Sequence, residues 1–215
     1  MELKFDSRTD IIEVFPTRLF MFSIHGAEPL NEALKAAALT RESSGEPGAA
    51  GVIGGWRSSG NLFNWADHGI DTIRQTATGA LQAVIPQIAG GASSFETELS
   101  GYVSVLRYGG YEKRHLSPGH HLTMIYSIDA GDAPNEDAPE SGTIEIDDPR
   151  AQAELAGLPI DTVGRSVMIT PKSGQLIVLP SWLHIRTNPY FGDGERVTLT
   201  LTATVTNLER IGTTR

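Results

Sequence analysis

Near the end of the chain apolar and polar residues alternate without interruption: Val197, Leu199, Leu201, Ala203 and Val205 are interleaved with Arg196, Thr198, Thr200, Thr202 and Thr204. Successive strand side chains point to opposite faces, so this spacing predicts a strand over 196–206 with one apolar and one polar face. The polar face reads either as the lining of a barrel or as a solvated threonine surface. Upstream the period changes. Leu30, Leu34, Ala37 and Ala38, behind Pro29, share one side of a packing helix. Ile70, Ile73, Ala77, Leu81, Val84 and Ile88 mark a second, which Pro86 should end or kink. Residues 13–24, rich in Val, Phe and Leu but carrying Pro16, suit an edge strand. Residues 42–60 are Gly- and Ser-rich and read as a long loop, with 43–60 a candidate lid. After Gly90 and Gly91 the pattern predicts strands over 96–107, 122–128, 143–146, 166–170, 175–179 and 196–206, with an acidic, proline-containing connection at 130–142.

Helices first and strands second is an α+β order. The expectation is a single domain over 1–215, with helical support at 28–90 and a β region at 95–207. The 23 glycines and 12 prolines agree with a turn-rich fold rather than a helical bundle. A formal charge of −9 without a Lys/Arg cluster opposes binding to nucleic acid, whose affinity rests on basic side chains that release counterions. With no cysteine, neither a disulfide framework nor a thiolate site can form, so any metal must be held by His and carboxylate. The first residues lack a signal-peptide pattern, and no apolar run approaches the roughly 18 residues that span a bilayer. A cytoplasmic protein without a membrane partner is expected.

Six histidines, at 25, 68, 115, 120, 121 and 184, are the candidate metal ligands. His25 and His68 lie near helix ends without a partner in sequence and read as structural or exposed. His115 with His120 and His121, followed at a distance by His184, has the layout of a site in which two close ligands meet a third from a distant strand. A face of two His and one carboxylate with open positions is the arrangement of non-haem iron(II) oxygenases. Arg196 opens the last strand on the same face as Thr198, where it could clamp a carboxylate through paired N–H donors. Its plain alternative is a surface arginine balancing Glu195. Trp56, Trp65 and Trp182 read as core or loop anchors.

Several segments, in order, resemble the iron(II)/2-oxoglutarate oxygenases: Arg107-Tyr108-Gly109-Gly110, His115-Leu116-Ser117, Thr123-Met124-Ile125-Tyr126, the run from Gly174 through Leu179-Pro180-Ser181-Trp182-Leu183-His184, and Glu195-Arg196-Val197-Thr198-Leu199. Phe15-Pro16-Thr17, Gly54-Gly55-Trp56-Arg57-Ser58 and Asp148-Pro149-Arg150 are similar to a bacterial subfamily of that superfamily. The resemblance implies a double-stranded β-helix (jelly roll) with two N-terminal packing helices. It implies Fe(II) on His115 and His184, and 2-oxoglutarate held by Arg196 with Tyr108 and Thr198. The activity implied is hydroxylation of a small molecule, amino acid or peptide by molecular oxygen, releasing succinate and CO2. Barrels of this kind often pair through edge strands or helices, which admits a homodimer.

Two departures from the family pattern stand out. Ser117 occupies the position where a second ligand is usual, which leaves that ligand to His121, with His120 as competitor, or to water or a halide. His184 comes one residue early relative to Pro189 and Arg196, so Ile185 aligns where the histidine should be, and a one-residue slip exchanges inward and outward side chains. A bulge could restore it. Beside the oxygenase stand two other readings: a cupin-like metal enzyme with three histidines and no 2-oxoglutarate, and a non-catalytic jelly-roll binding module, a degenerate oxygenase.

Overall fold

The computed structural model describes residues 15–91, 94–150 and 166–209. Two α-helices, α1 (Glu28–Ser43) and α2 (Ile70–Ala89), stand among nine strands: β1 (Phe20–Ser23), β2 (Val52–Arg57), β3 (Ser94–His115), β4 (Leu122–Asp129), β5 (Ile144–Ile146), β6 (Val167–Ile169), β7 (Gln175–Pro180), β8 (Ile185–Tyr190) and β9 (Arg196–Glu209). All pairings are antiparallel. The order is β1-β7-β4-β9-β3-β8-β5-β6, with β2 also on β3. This is the curled sheet of a double-stranded β-helix. β3 belongs to both walls: residues 94–106 pair with β9, and residues 110–115 pair with β8 across two irregularities in register. Gly110 lies at that bend, packed so closely that an added Cβ would come within 2.6 Å of the Gly54 carbonyl oxygen.

The alternation in β9 decides the architecture. Val197, Leu199, Leu201 and Ala203 join Ile73, Ala77, Leu81 and Val84 of α2 and Leu34 and Ala38 of α1 in one buried cluster. Each fully buried aliphatic side chain there contributes roughly 1.5–3 kcal/mol, which is why the helices close this side of the sheet. On the opposite face Arg196, Thr198, Thr200 and Thr202 are buried as well. That face therefore lines the barrel interior and is not a solvated surface. Facing it is a second apolar cluster of Ile125, Ile144, Ile146, Ile177, Leu179, Leu183 and Ile185.

Four sequence expectations change. The loop at 42–60 contains β2, whose Gly54 and Gly55 disguise it: an added Cβ on Gly55 would lie 2.1 Å from the Val105 carbonyl oxygen, so glycine here permits close strand approach. β3 continues to His115 instead of ending at 107, because Gly109 and Gly110 bend the strand without breaking it. β8 was hidden by its Asn188-Pro189 pair, which reads as a turn. Pro86 does not end α2, which runs to Ala89 and closes on Gly90 in the left-handed region. The expected edge strand reduces, among the described residues, to Phe20–Ser23, which is an edge of the sheet. No described helix is long and apolar enough to cross a membrane.

Candidate ligand site inside the barrel

His115 closes β3, and both of its ring nitrogens are engaged. Nδ1 lies 2.8 Å from the Lys113 carbonyl oxygen, which can only accept, so the proton sits on Nδ1. Nε2, 3.2 Å from the Tyr102 hydroxyl, then accepts from it. Tyr102 in turn takes a hydrogen bond from Thr200. Burial and the negative field of Glu112 hold the Tyr102 hydroxyl well above the usual phenol range, so it remains a donor.

Ile185, not His184, is the cross-strand partner of His115. It is buried among Ile125, Ile177 and Leu179. Cross-strand partners share a face and neighbours in a strand alternate, so the slip seen in the sequence places an aliphatic side chain beside His115. His184 is half-buried just ahead of β8, where its carbonyl oxygen accepts from the Asp147 amide. The exposed His121 accepts a hydrogen bond on Nδ1 from the Val205 amide at 2.9 Å. The Nδ1 of His120 is 3.0 Å from the Thr204 hydroxyl. Ser117 is half-exposed, its amide bonded to the Ser181 carbonyl oxygen. Among the described residues no three of His, Cys, Asp or Glu stand where they could share an ion. A hydroxyl and an aliphatic chain are poor donors to iron(II), so the residues present do not fit the metal of the oxygenase fold.

A carboxylate fits better. Arg196 opens β9 with its side chain inside the barrel and only 1% exposed. Its Nη1 donates to the Gly142 carbonyl oxygen. Its Nε and Nη2 are buried without a partner among the described residues. Burial pushes the guanidinium down to about 10, against the opposing influence of Glu112 and Tyr190, and it stays cationic at neutral pH. Thr198 shares its face, and Ser127 of β4, the cross-strand partner of Thr198, is buried with an unpaired hydroxyl. Tyr108, expected beside Arg196, is instead 72% exposed and meets Phe191 edge to face at 5.4 Å. A cavity of about 220 Å³ at this end is lined by Arg196, Lys172, Ser173 and the 130–134 segment.

Sequence reasoning missed Glu112 and Tyr102. Glu112 is 6% exposed and inward-facing, yet it lies beyond the point where the strand was expected to end, so no alternation flagged it. Tyr102 carried a usable signal: it shares strand parity with Ser104, on the face opposite Val103 and Val105.

Taken with this geometry, the comparisons with solved structures define a class. The chain has the fold of the 2OG-Fe(II) oxygenases. A prolyl-4-hydroxylase from Pseudomonas putida superposes with a TM-score of 0.59 at 17% identity, covering 91% of this chain and 94% of that one. HygX from Streptomyces hygroscopicus, with nickel and 2-oxoglutarate bound, gives 0.57 at 13% identity, covering 87% and 82%. A prolyl hydroxylase from Trichoplax adhaerens, in complex with a hypoxia-inducible-factor peptide fragment, gives 0.54 at 13%, covering 86% and 83%. No family model matches the chain, and no curated protein matches it in sequence.

Proposed function

We propose that this chain is an oxygenase-fold protein, acting as a single domain, that captures a small carboxylic acid in its barrel on Arg196 without the iron centre of the fold. The observation that carries this reading is a cationic guanidinium buried in the interior with two N–H-bearing nitrogens unpaired. Buried donors in native proteins nearly always have partners, and a planar guanidinium matches a carboxylate in geometry as well as charge. Thr198 and Ser127 stand on the same inner wall to complete the ligand's hydrogen bonding. The fold supports the reading too, since HygX, which shares it, holds 2-oxoglutarate. Calorimetric titration of the protein with succinate, glutarate and 2-oxoglutarate tests it. Saturable binding that Arg196→Met abolishes is the expected result, and binding unaffected by that change rejects the reading.

A second reading keeps the iron(II)- and 2-oxoglutarate-dependent oxygenase, with a small-molecule, amino-acid or peptide substrate and molecular oxygen. One observation favours it: the Nδ1–H of His115 is fixed on a backbone carbonyl, as the far nitrogen of a metal-ligating histidine commonly is. It requires His184 and His121, or solvent, to complete the ligand set. Anaerobic addition of iron(II) and 2-oxoglutarate separates the two readings: a metal-to-ligand charge-transfer band supports the oxygenase, and its absence alongside Arg196-dependent acid binding supports the first.

A further inference from the structure

Arg196 is not the only inward-facing group with bare atoms. Glu112, on the part of β3 that joins the second wall, is buried with Oε1 unpaired. Its Oε2 meets the Thr187 hydroxyl at 3.5 Å. Two opposite charges therefore stand buried beside the same strand: Glu112 meets Thr187 of β8, and Arg196 donates to the Gly142 carbonyl oxygen, whose own amide is bonded to Pro189 two residues further along β8, and neither satisfies the other. In a low-dielectric interior an unpaired ionic group is costly, and its hydrogen-bonding atoms need partners of matching polarity. A molecule lodged between them must offer acceptors to the guanidinium and donors to the carboxylate.

We propose that the barrel binds a small zwitterion, an amino acid whose carboxylate lies on Arg196 and whose ammonium group lies on Glu112. The proposal rests on the carboxylate-binding reading above and narrows it to a ligand class. A dicarboxylate such as 2-oxoglutarate brings a second negative charge into the space that Glu112 already makes negative. In the oxygenase fold a metal ion would offset that charge, but the donor set here does not fit one. An ammonium group in place of the second carboxylate turns the same repulsion into a charge-assisted hydrogen bond. The unpaired Ser127 hydroxyl, on the wall that carries Arg196, adds one more donor for the ligand's carboxylate.

Matched pairs of acids test this in the whole protein kept in chelator-treated buffer. Succinate is compared with 4-aminobutyrate, and glutarate with 5-aminopentanoate, each pair equal in length and differing by the exchange of one carboxylate for a protonated aminomethyl group. The amino acid of at least one pair is expected to bind at least about tenfold more tightly than its dicarboxylate in calorimetric titration. Glu112→Gln should erase that preference, and Arg196→Met should abolish binding of both members. The wild-type comparison does not depend on either variant folding. Dicarboxylates that bind in an Arg196-dependent way as tightly as the amino acids overturn the zwitterion while leaving the carboxylate reading intact. A preference unchanged in folded Glu112→Gln also overturns it. Failure of every acid to bind overturns both.

Discussion

Ile185 stands directly across the β3 and β8 ladder from His115, buried in the apolar cluster that fills one end of the barrel. This pairing sets an aliphatic side chain beside the histidine whose ring is held as a ligand's would be. With Ser117 two residues past His115, two of the three positions that the resemblance to the oxygenases assigns to metal ligands hold side chains that do not bind iron. Restoring them should restore metal affinity. The variant Ser117→Asp with Ile185→His is expected to gain a cobalt(II)-dependent rise in Tm and cobalt absorption bands, because a ligand that binds only the folded state stabilises it by mass action. Without metal the same variant should be less stable by roughly 1–3 kcal/mol, since an imidazole replaces an aliphatic group in an apolar cluster. Wild-type protein that already binds cobalt stoichiometrically, and loses it in His184→Ala, overturns the assignment.

How much of this could be read from the sequence differs by element. The two helices and β9 were legible because their faces meet a large apolar cluster, which selects an uninterrupted period. The inward direction of Arg196 and Thr198 followed from the same alternation once the polar face proved to be enclosed. β2, the far half of β3 and β8 were hidden, because glycines at 54, 55, 109 and 110 and the Asn188-Pro189 pair have the composition of turns. Only the opposing strand shows that those glycines serve close approach and bending. Glu112 lies in that hidden stretch, which is why half of the interior charge went unseen. The slip at His184 was visible in the spacing. Its outcome was not, since a bulge could have compensated and only the register of β8 against β3 excludes that for Ile185.

β2 depends on Gly55. Any side chain there meets the Val105 carbonyl oxygen and the Leu106 backbone, neither of which can swing aside. Gly55→Ala is expected to lower stability by about 1–3 kcal/mol or more, the range of other steric faults in a packed interior. Hydrogen exchange should show the loss centred on Val52–Arg57 and the facing part of β3. Gly60, with no heavy atom near an added Cβ but φ of +70°, is the control: alanine there should cost only about 1 kcal/mol of backbone strain. Equal effects at the two positions would argue against the close contact.

Glu145 ties the second wall together. It is buried, takes hydrogen bonds from Arg186 Nε at 2.9 Å, from Asn188 at 3.2 Å and from the Ser166 hydroxyl, and makes an ion-pair contact with Arg186 Nη2 at 2.6 Å. Burial alone would raise its carboxyl, but the hydrogen bonds of Ser166, Arg186 and Asn188 together with the charge of Arg186 outweigh it and hold the carboxyl below the usual range. A carboxyl depressed by folding stabilises the protein above its unfolded pKa, and that stabilisation is lost as the pH falls through the folded value. Glu145→Gln should therefore cost about 1–3 kcal/mol near neutrality. The gap between wild type and variant, measured by urea unfolding, should narrow as the pH falls below about 4. A gap that stays constant from pH 7 to pH 3 would show that packing, not charge, is what Glu145 contributes.

At Arg196, unlike Glu145, burial outweighs the favourable partners. Among the described residues its buried guanidinium leaves Nε and Nη2 unpaired and Glu112 leaves Oε1 unpaired, so neither charge is fully repaid for leaving water. Replacing a buried ionic set by apolar residues of similar size is often neutral or stabilising by about 1–4 kcal/mol, whereas removing one member takes from the other the opposite field that partly offsets its burial. Arg196→Met alone is therefore expected to destabilise the ligand-free protein, as is Glu112→Met alone. The double variant should equal or exceed the wild type, with a coupling energy of about 1–3 kcal/mol between the two positions. Binding should run the other way: 4-aminobutyrate should raise the Tm of the wild type and leave that of the double variant unmoved. A double variant whose loss matches the sum of the single losses would show that the two charges act independently. Coupled stability together with lost binding would show that the interior keeps its two charges for a ligand, at the expense of the empty fold.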